Sequence, residues 1–116
     1  MTPASFTFPE IRRGNSIPAF VIAALSYADA SPVLLASAAL EIRANSGTLL
    51  KRFASADNSL VINPQNTVTL AFVPGSETAA FPAGTHNYDL KVNLQSGETW
   101  TVLAGHARVV PSITLN

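Results

Sequence analysis

The sequence contains no cysteine among its 116 residues, and charged residues make up only 12% of it. The lack of cysteine excludes disulfide bonds, thiolate catalysis and zinc sites built on cysteine. Seven basic side chains balance seven acidic ones, so no long-range field would attract a polyanion or an acidic lipid surface. We therefore expect no nucleic acid and no membrane among the partners.

Long apolar runs are also missing. The most apolar stretch, residues 17–25, is about half the length that a membrane helix needs. The opening residues MTPASFTFPEIRR lack the basic region and apolar run of a secretory signal. The sequence thus predicts a soluble protein made in the cytoplasm. A length of 116 residues predicts one domain, spanning residues 1–116.

Turn-forming residues are frequent. Eight prolines are spread along the chain, and Asn-Ser-Gly at 45–47 and Gln-Ser-Gly at 95–97 add further turn signals. Turn signals at intervals of roughly 8 to 15 residues leave room for strands and little room for long helices.

Between the turns, apolar and polar residues alternate with the period of two that is typical of a half-buried strand. Val68, Leu70 and Phe72 are predicted to share one buried face. The same alternation predicts a β-hairpin over residues 85–104 with its turn at 95–98, and a second hairpin over residues 40–53.

The remaining segments complete an all-β pattern. Residues 16–27 are apolar on both faces, which predicts a central strand, and short strands are predicted at 59–62 and 108–110. One helical turn is predicted near residues 76–81, with Ser76 as its N-cap. The fold class predicted is an immunoglobulin-like antiparallel β-sandwich of seven to nine short strands with one short helical turn.

A cluster of polar residues raises the question of catalysis: His86, Asn87, Tyr88 and Asp89 are consecutive. On a strand, His86 and Tyr88 point to one face while Asn87 and Asp89 point to the other, so the four cannot converge as a triad would require. His106 is the only other histidine, and no local spacing supports a metal site. We expect no catalytic residue, no cofactor, no metal and no enzyme activity. Enzyme function would gain support only if both histidines lay adjacent across strands beside a carboxylate.

The hydrophobic fraction of 47% is high for so small a chain. A sandwich with one solvated face per sheet needs about half of its strand positions polar. Exposed apolar surface usually marks interaction sites. The excess therefore indicates surface that contacts partners or further copies, and a homo-oligomer is one of the predicted possibilities.

The order of short motifs resembles that of a known group of proteins. The segments are RGNS at 13–16, ASPVLL at 30–35, ETAAFPAG at 77–84, YDL at 88–90 and VVPSIT at 109–114. They are similar to small β-sandwich domains of phage and prophage tails, in particular the N-terminal domain of phage upper baseplate proteins.

This resemblance implies a function. It suggests a non-catalytic structural or attachment module of a phage or prophage tail or baseplate, acting through protein–protein contacts. The partners would be other tail or baseplate proteins. The protein would lie in the virion after assembly and in the cytoplasm of the bacterial host during synthesis.

Two other functions remain open from the sequence. A carbohydrate-binding or adhesin-like sandwich would use Trp100, Tyr88, Tyr27 and polar neighbours to line a sugar groove, although the alternation predicts that Trp100 faces the core. A small enzyme is the third possibility, and no pocket or motif in the sequence favours it.

Overall fold

The computed structural model describes residues 4–5 and 8–111. Within these residues there are nine β-strands, one 3-10 turn and one short helix. The strands are β1 (Ala4–Ser5), β2 (Ile11–Arg12), β3 (Phe20–Ala24), β4 (Leu35–Arg43), β5 (Leu49–Ala54), β6 (Leu60–Ile62), β7 (Thr67–Leu70), β8 (Gly84–Leu94) and β9 (Thr99–Val110). The 3-10 turn is Ser55–Asp57, and the helix α1 is Gly75–Thr78.

The strands form two sheets, which confirms the all-β sandwich. The larger sheet has the order β1-β9-β8-β4-β5, with β2 also paired to β9. Its long strands are antiparallel, whereas β1 and β2 run parallel to β9. The smaller sheet is antiparallel with the order β3-β7-β6. Among the described residues, no helix is long and apolar enough to cross a membrane.

Both predicted hairpins are present. β4 pairs with β5, and β8 pairs with β9. Gly47 and Gly97 lie in the two turns with φ angles of 92° and 96°, a backbone region that glycine enters without a steric penalty. The predicted separate strand at 108–110 is the end of β9, because the ladder with β8 continues to Val109.

One buried cluster contains residues from both sheets. In the larger sheet, Leu40 lies in register between Phe53 and Leu90. In the smaller sheet, Leu60 and Leu70 pair across β6 and β7. All five side chains are buried. Full burial of each stabilises the fold by about 1.5–3 kcal/mol, so the core depends on the registers that place these residues inside.

The predicted central strand is wrong. β3 lies at an edge of the smaller sheet, and Val21 is 56% exposed. The apolar residues on its two faces therefore do not indicate burial on both sides. The three strands of this sheet contain no charged residue.

The predicted position of Phe72 is also wrong. β7 ends at Leu70, and Phe72 is 61% exposed while Val73 is buried. Val73 exchanges two backbone hydrogen bonds with Ile17. The period-two alternation of β7 does not continue past Leu70. With this bridge in place, Val73 instead of Phe72 takes the next inward position.

The helical segment is shorter than predicted and capped differently. α1 covers Gly75–Thr78, and its N-cap is Pro74 with no side-chain hydrogen bond. The predicted Ser76 cap is wrong because Ser76 lies inside the turn, and the amides of Glu77 and Thr78 bond to the carbonyl of Pro74 instead.

Thr78 fastens α1 to the segment that precedes β3. Its buried hydroxyl accepts a hydrogen bond from the amide of Gly14 at 3.0 Å and donates one to the carbonyl of Asn15 at 2.8 Å. Gly75 lies so close to this segment that a Cβ atom there would be 2.3 Å from the carbonyl oxygen of Gly14. We call these residues, 14–15, Gly75 and Thr78, the α1 clamp.

Candidate functional site

The polar cluster at the start of β8 divides between two faces, as the alternation predicts. His86 and Tyr88 are 7% and 3% exposed and point inward, whereas Asn87 is exposed and Asp89 is half-buried. The Nε2 atom of His86 lies 2.7 Å from the carbonyl oxygen of Pro82. A carbonyl only accepts, so Nε2 carries the proton, and His86 closes the loop before β8.

The two histidines lie on opposite faces of the larger sheet. His106 is exposed and pairs across the ladder with Asn87, not with His86. The enzyme hypothesis required two adjacent histidines beside a carboxylate, and the structure does not bring the two histidines together. Within residues 8–111 the structure also shows no group of three or more His, Cys, Asp or Glu side chains able to hold a metal ion.

The outer face of the larger sheet contains a depression of about 350 Å³. Its floor is made by Ala39 and Ala54, which lie directly opposite each other on β4 and β5. Side chains on alternate positions share a face, and these two are smaller than their neighbours Ser37, Glu41 and Arg52 on the same face. The depression follows from this local loss of side-chain volume.

One side of the depression carries a row of three charges. Arg52, Glu41 and Asp89 lie in register across β5, β4 and β8. Glu41 accepts a hydrogen bond from Arg43 at 2.9 Å and has Arg52 at 3.9 Å. Like charges directly opposite each other on neighbouring strands are destabilising. Both arginines pair with Glu41, whereas the Asp89 carboxylate forms no salt bridge among the described residues.

The Asp89 carboxylate also has a buried oxygen without a hydrogen bond. Its Oδ1 atom is buried and has no hydrogen-bond partner among the described residues. Buried carboxylate oxygens without a donor are uncommon in folded proteins, and each one requires an explanation. The terminal torsion of aspartate is broad and roughly two-fold, so the carboxylate presents one of its two oxygens to a donor in the depression while the other stays buried.

The other side of the depression is lined by neutral polar groups and a lysine. The Asn93 side chain donates to Ser37 at 2.8 Å and accepts from Thr99 at 2.7 Å. Lys91 is exposed and lies opposite Ala39. The ionisable residues of the lining are Glu41, Asp89, Arg52 and Lys91, so their charges cancel.

The 3-10 turn closes one end of the depression. Ser55 lines it and accepts a hydrogen bond from the amide of Ala38 at 3.1 Å. Asp57 holds the turn through Ser59, whose hydroxyl and amide both donate to its carboxylate. These bonds, the hydroxyl first, lower the pKa of Asp57 below its usual value.

The lowered pKa of Asp57 predicts a pH effect on stability. A carboxylate with a depressed folded-state pKa stabilises the fold above its unfolded-state pKa, and this contribution disappears as the pH falls through the folded-state value. The difference in free energy of unfolding between the wild type and Asp57→Ala should therefore shrink from about pH 6 to about pH 3. Urea denaturation at both pH values measures it, and a constant difference would contradict the assignment.

The residues predicted for a sugar groove separate in the structure. Tyr88 is buried against Phe8, with ring centroids 5.6 Å apart. Trp100 is half-buried and packs against the core, as its inward position predicts, and it contacts the ring of Tyr27 at 6.3 Å. None of the three lines the depression. The prediction placed all three rings in one groove, but the structure brings only Tyr27 and Trp100 together. The depression was not predicted.

No family model matches the chain, and no curated protein matches it. A solved structure that is similar to it is the crystal structure of CopC from Methylosinus trichosporium OB3b. The match has 10% sequence identity and a TM-score of 0.42, and it covers 88% of this chain and 98% of that one.

The phage-tail resemblance implied a function that the comparison of structures contradicts. The prediction of a structural or attachment module of a tail or baseplate is wrong: the solved structure found to be similar is that of CopC. The short motifs that suggested it are common residues of β-turns and strand ends. Segment 77–84 runs from the end of α1 to the start of β8, and residues 88–90 lie within β8.

Proposed function

We propose that this chain is a non-catalytic binding domain whose depression on the larger sheet holds a small, neutral, hydroxyl-rich ligand such as a short carbohydrate. The observation that carries this proposal is the Asp89 carboxylate, which lines an alanine-floored depression and whose Oδ1 atom has no hydrogen-bond partner among the described residues. A ligand hydroxyl in the depression would donate to this carboxylate.

The lining matches the chemistry of a sugar. A hydroxyl group both donates and accepts, and the rim offers acceptors at Glu41 and Asp89 beside donors at Arg52 and Lys91. The C–H face of a sugar ring is apolar, and the methyl groups of the alanine floor present an apolar surface to it. Specific pockets commonly combine apolar lining with a few placed polar groups.

The charge of the lining favours a neutral ligand. Two acidic and two basic side chains surround the depression, so neither an anion nor a cation would find a net opposite charge there. The volume of about 350 Å³ lies at the lower end of the range of small-molecule sites, roughly 300–1,000 Å³. The depression therefore suits a ligand of small size.

Substitution of Asp89 tests the proposal. The wild type would be applied to an array of immobilised oligosaccharides, and the sugar with the strongest signal would be titrated by calorimetry. Asp89→Ala is expected to weaken binding by about tenfold to a hundredfold, because a hydrogen bond to a charged group contributes about 1.5–3 kcal/mol. The matched control is Asn87→Ala, which changes the same outer face of β8 outside the depression.

The effect on binding can be separated from an effect on folding. Removing the Asp89 charge relieves its repulsion with Glu41. The free energy of unfolding of Asp89→Ala should therefore fall by less than the free energy of sugar binding does. The proposal fails if no oligosaccharide binds the wild type, or if Asp89→Ala and Asn87→Ala bind the sugar equally well.

A further inference from the structure

An aromatic corner lies at the end of the larger sheet where β8 turns into β9. The rings of Tyr27 and Trp100 meet edge to face, with centroids 6.3 Å apart and planes at 89°. Beside them is a cleft of about 200 Å³. It is lined by Tyr27, Pro32, Leu34, Gln95 and Ser96. We call this cleft the Tyr27 corner.

The position of the Tyr27 ring is held by its neighbours. The indole N–H of Trp100 donates to Glu98 at 3.1 Å, which fixes the ring that Tyr27 packs against. The backbone of Tyr27 exchanges bonds with the following turn: its amide donates to the carbonyl of Ser31, and its carbonyl accepts from Ala30, both at 2.9 Å. A ring that is held before binding loses little conformational entropy when a ligand stacks on it.

The surface of the corner alternates between apolar and polar groups. Tyr27 is 47% exposed and Leu34 is 42% exposed, which are large values for apolar side chains. Gln95 and Ser96 stand next to them and offer an amide and a hydroxyl. An exposed aromatic ring flanked by hydrogen-bonding side chains can accept the apolar face of a sugar ring and bind its hydroxyls at the same time.

The corner and the depression both include residues next to the β8–β9 turn. Asn93 is paired with Ser37 and Thr99 at the rim of the depression, and Gln95 of the corner is two residues farther along the chain. Gln95 belongs to the turn that follows the end of β8 at Leu94. Thr99 and Trp100 are consecutive in β9, so their side chains point to opposite faces of the sheet. A ligand leaving the depression over the β8–β9 turn therefore meets the Tyr27 corner next.

From this placement we infer that the Tyr27 corner is a second subsite, which binds the next sugar units of a chain whose end lies in the depression. The inference rests on the proposed function. It adds that the ligand is an oligosaccharide longer than the depression alone can hold, and that Tyr27 selects for that length.

Tryptophan fluorescence makes the inference testable, because Trp100 is the only tryptophan and contacts Tyr27. The wild type would be titrated with sugars of increasing length from the series that binds on the array. Short members should bind without changing the emission of Trp100, and longer members should shift the emission and bind more tightly.

Tyr27→Ala should weaken binding of the longer sugars by about tenfold and leave the shortest unaffected, while Tyr27→Phe should retain most of the affinity because it keeps the ring. Val61→Ala is the matched control, since it removes an exposed apolar side chain from the smaller sheet. Thermal unfolding of each variant confirms that the fold is intact.

The outcomes distinguish the two proposals. If Tyr27→Ala binds long sugars like the wild type while Asp89→Ala does not, the second subsite is wrong and the proposed function stands. If Tyr27→Ala abolishes all binding and Asp89→Ala has no effect, the depression is not the primary site and the corner is not its extension, so both proposals are wrong. If affinity rises with sugar length in the wild type and not in Tyr27→Ala, the inference is supported.

Discussion

Replacing Gly75 with alanine is expected to lower the free energy of unfolding by about 3 kcal/mol, at the upper end of the loss caused by overpacking. The new Cβ atom would lie 2.3 Å from the carbonyl oxygen of Gly14. That oxygen belongs to the backbone and cannot rotate away. Moving the segment would also strain the bonds that Thr78 makes with Gly14 and Asn15. Urea denaturation followed by circular dichroism measures the change.

Two substitutions control for other effects at Gly75. Ser76→Ala changes an exposed residue of the same helix and should stay within about 0.5 kcal/mol of the wild type. Gly97→Ala adds a Cβ where no atom lies within 4 Å but where φ is 96°, so it should show only the backbone strain of about 1–2 kcal/mol. If Gly75→Ala unfolded like Ser76→Ala, the close packing of the α1 clamp would be disproved.

Leu40→Ala is expected to reduce the free energy of unfolding by about 2–5 kcal/mol, the range for a leucine truncated in a packed core. Leu40 has no exposed surface and lies between Phe53 and Leu90, which are buried as well. All three are fixed by strand pairing, so the neighbours can relax only partly into the cavity. The measurement is urea denaturation at constant pH.

The matched control for Leu40 is Leu49→Ala in the same hairpin. Leu49 is 44% exposed, and its truncation should change the free energy of unfolding by less than about 0.5 kcal/mol. Equal losses for the two leucines would contradict the assignment of the inward face of this hairpin.

The hairpins were predictable because their signals are local. Period-two alternation defines the two faces of a strand, and a glycine turn with positive φ joins β8 to β9 and β4 to β5. The position of β3 within its sheet was not predictable in the same way. Its apolar residues are compatible with a central or an edge strand, and only the sheet order shows that Val21 is exposed.

The depression was harder to predict than the fold. Ala39, Glu41 and Asp89 are unremarkable in sequence, and they form a site only because the registers of three strands align them with Ala54 and Arg52. The sequence alternation predicts which face each residue takes but carries no information on register between distant strands. The contact of Tyr27 with Trp100 has the same origin, since the two rings come from segments far apart in the chain.

The α1 clamp also determines how the two sheets are connected. The chain passes from β2 in the larger sheet to β3 in the smaller one through residues 14–15, and it returns from β7 to β8 through α1. Thr78 bonds both passages together. An opening of the sandwich that moves these two passages apart would release the amide of Gly14 to solvent. Amide hydrogen exchange at Gly14 would report the opening of the whole sandwich, although the residue lies in a loop.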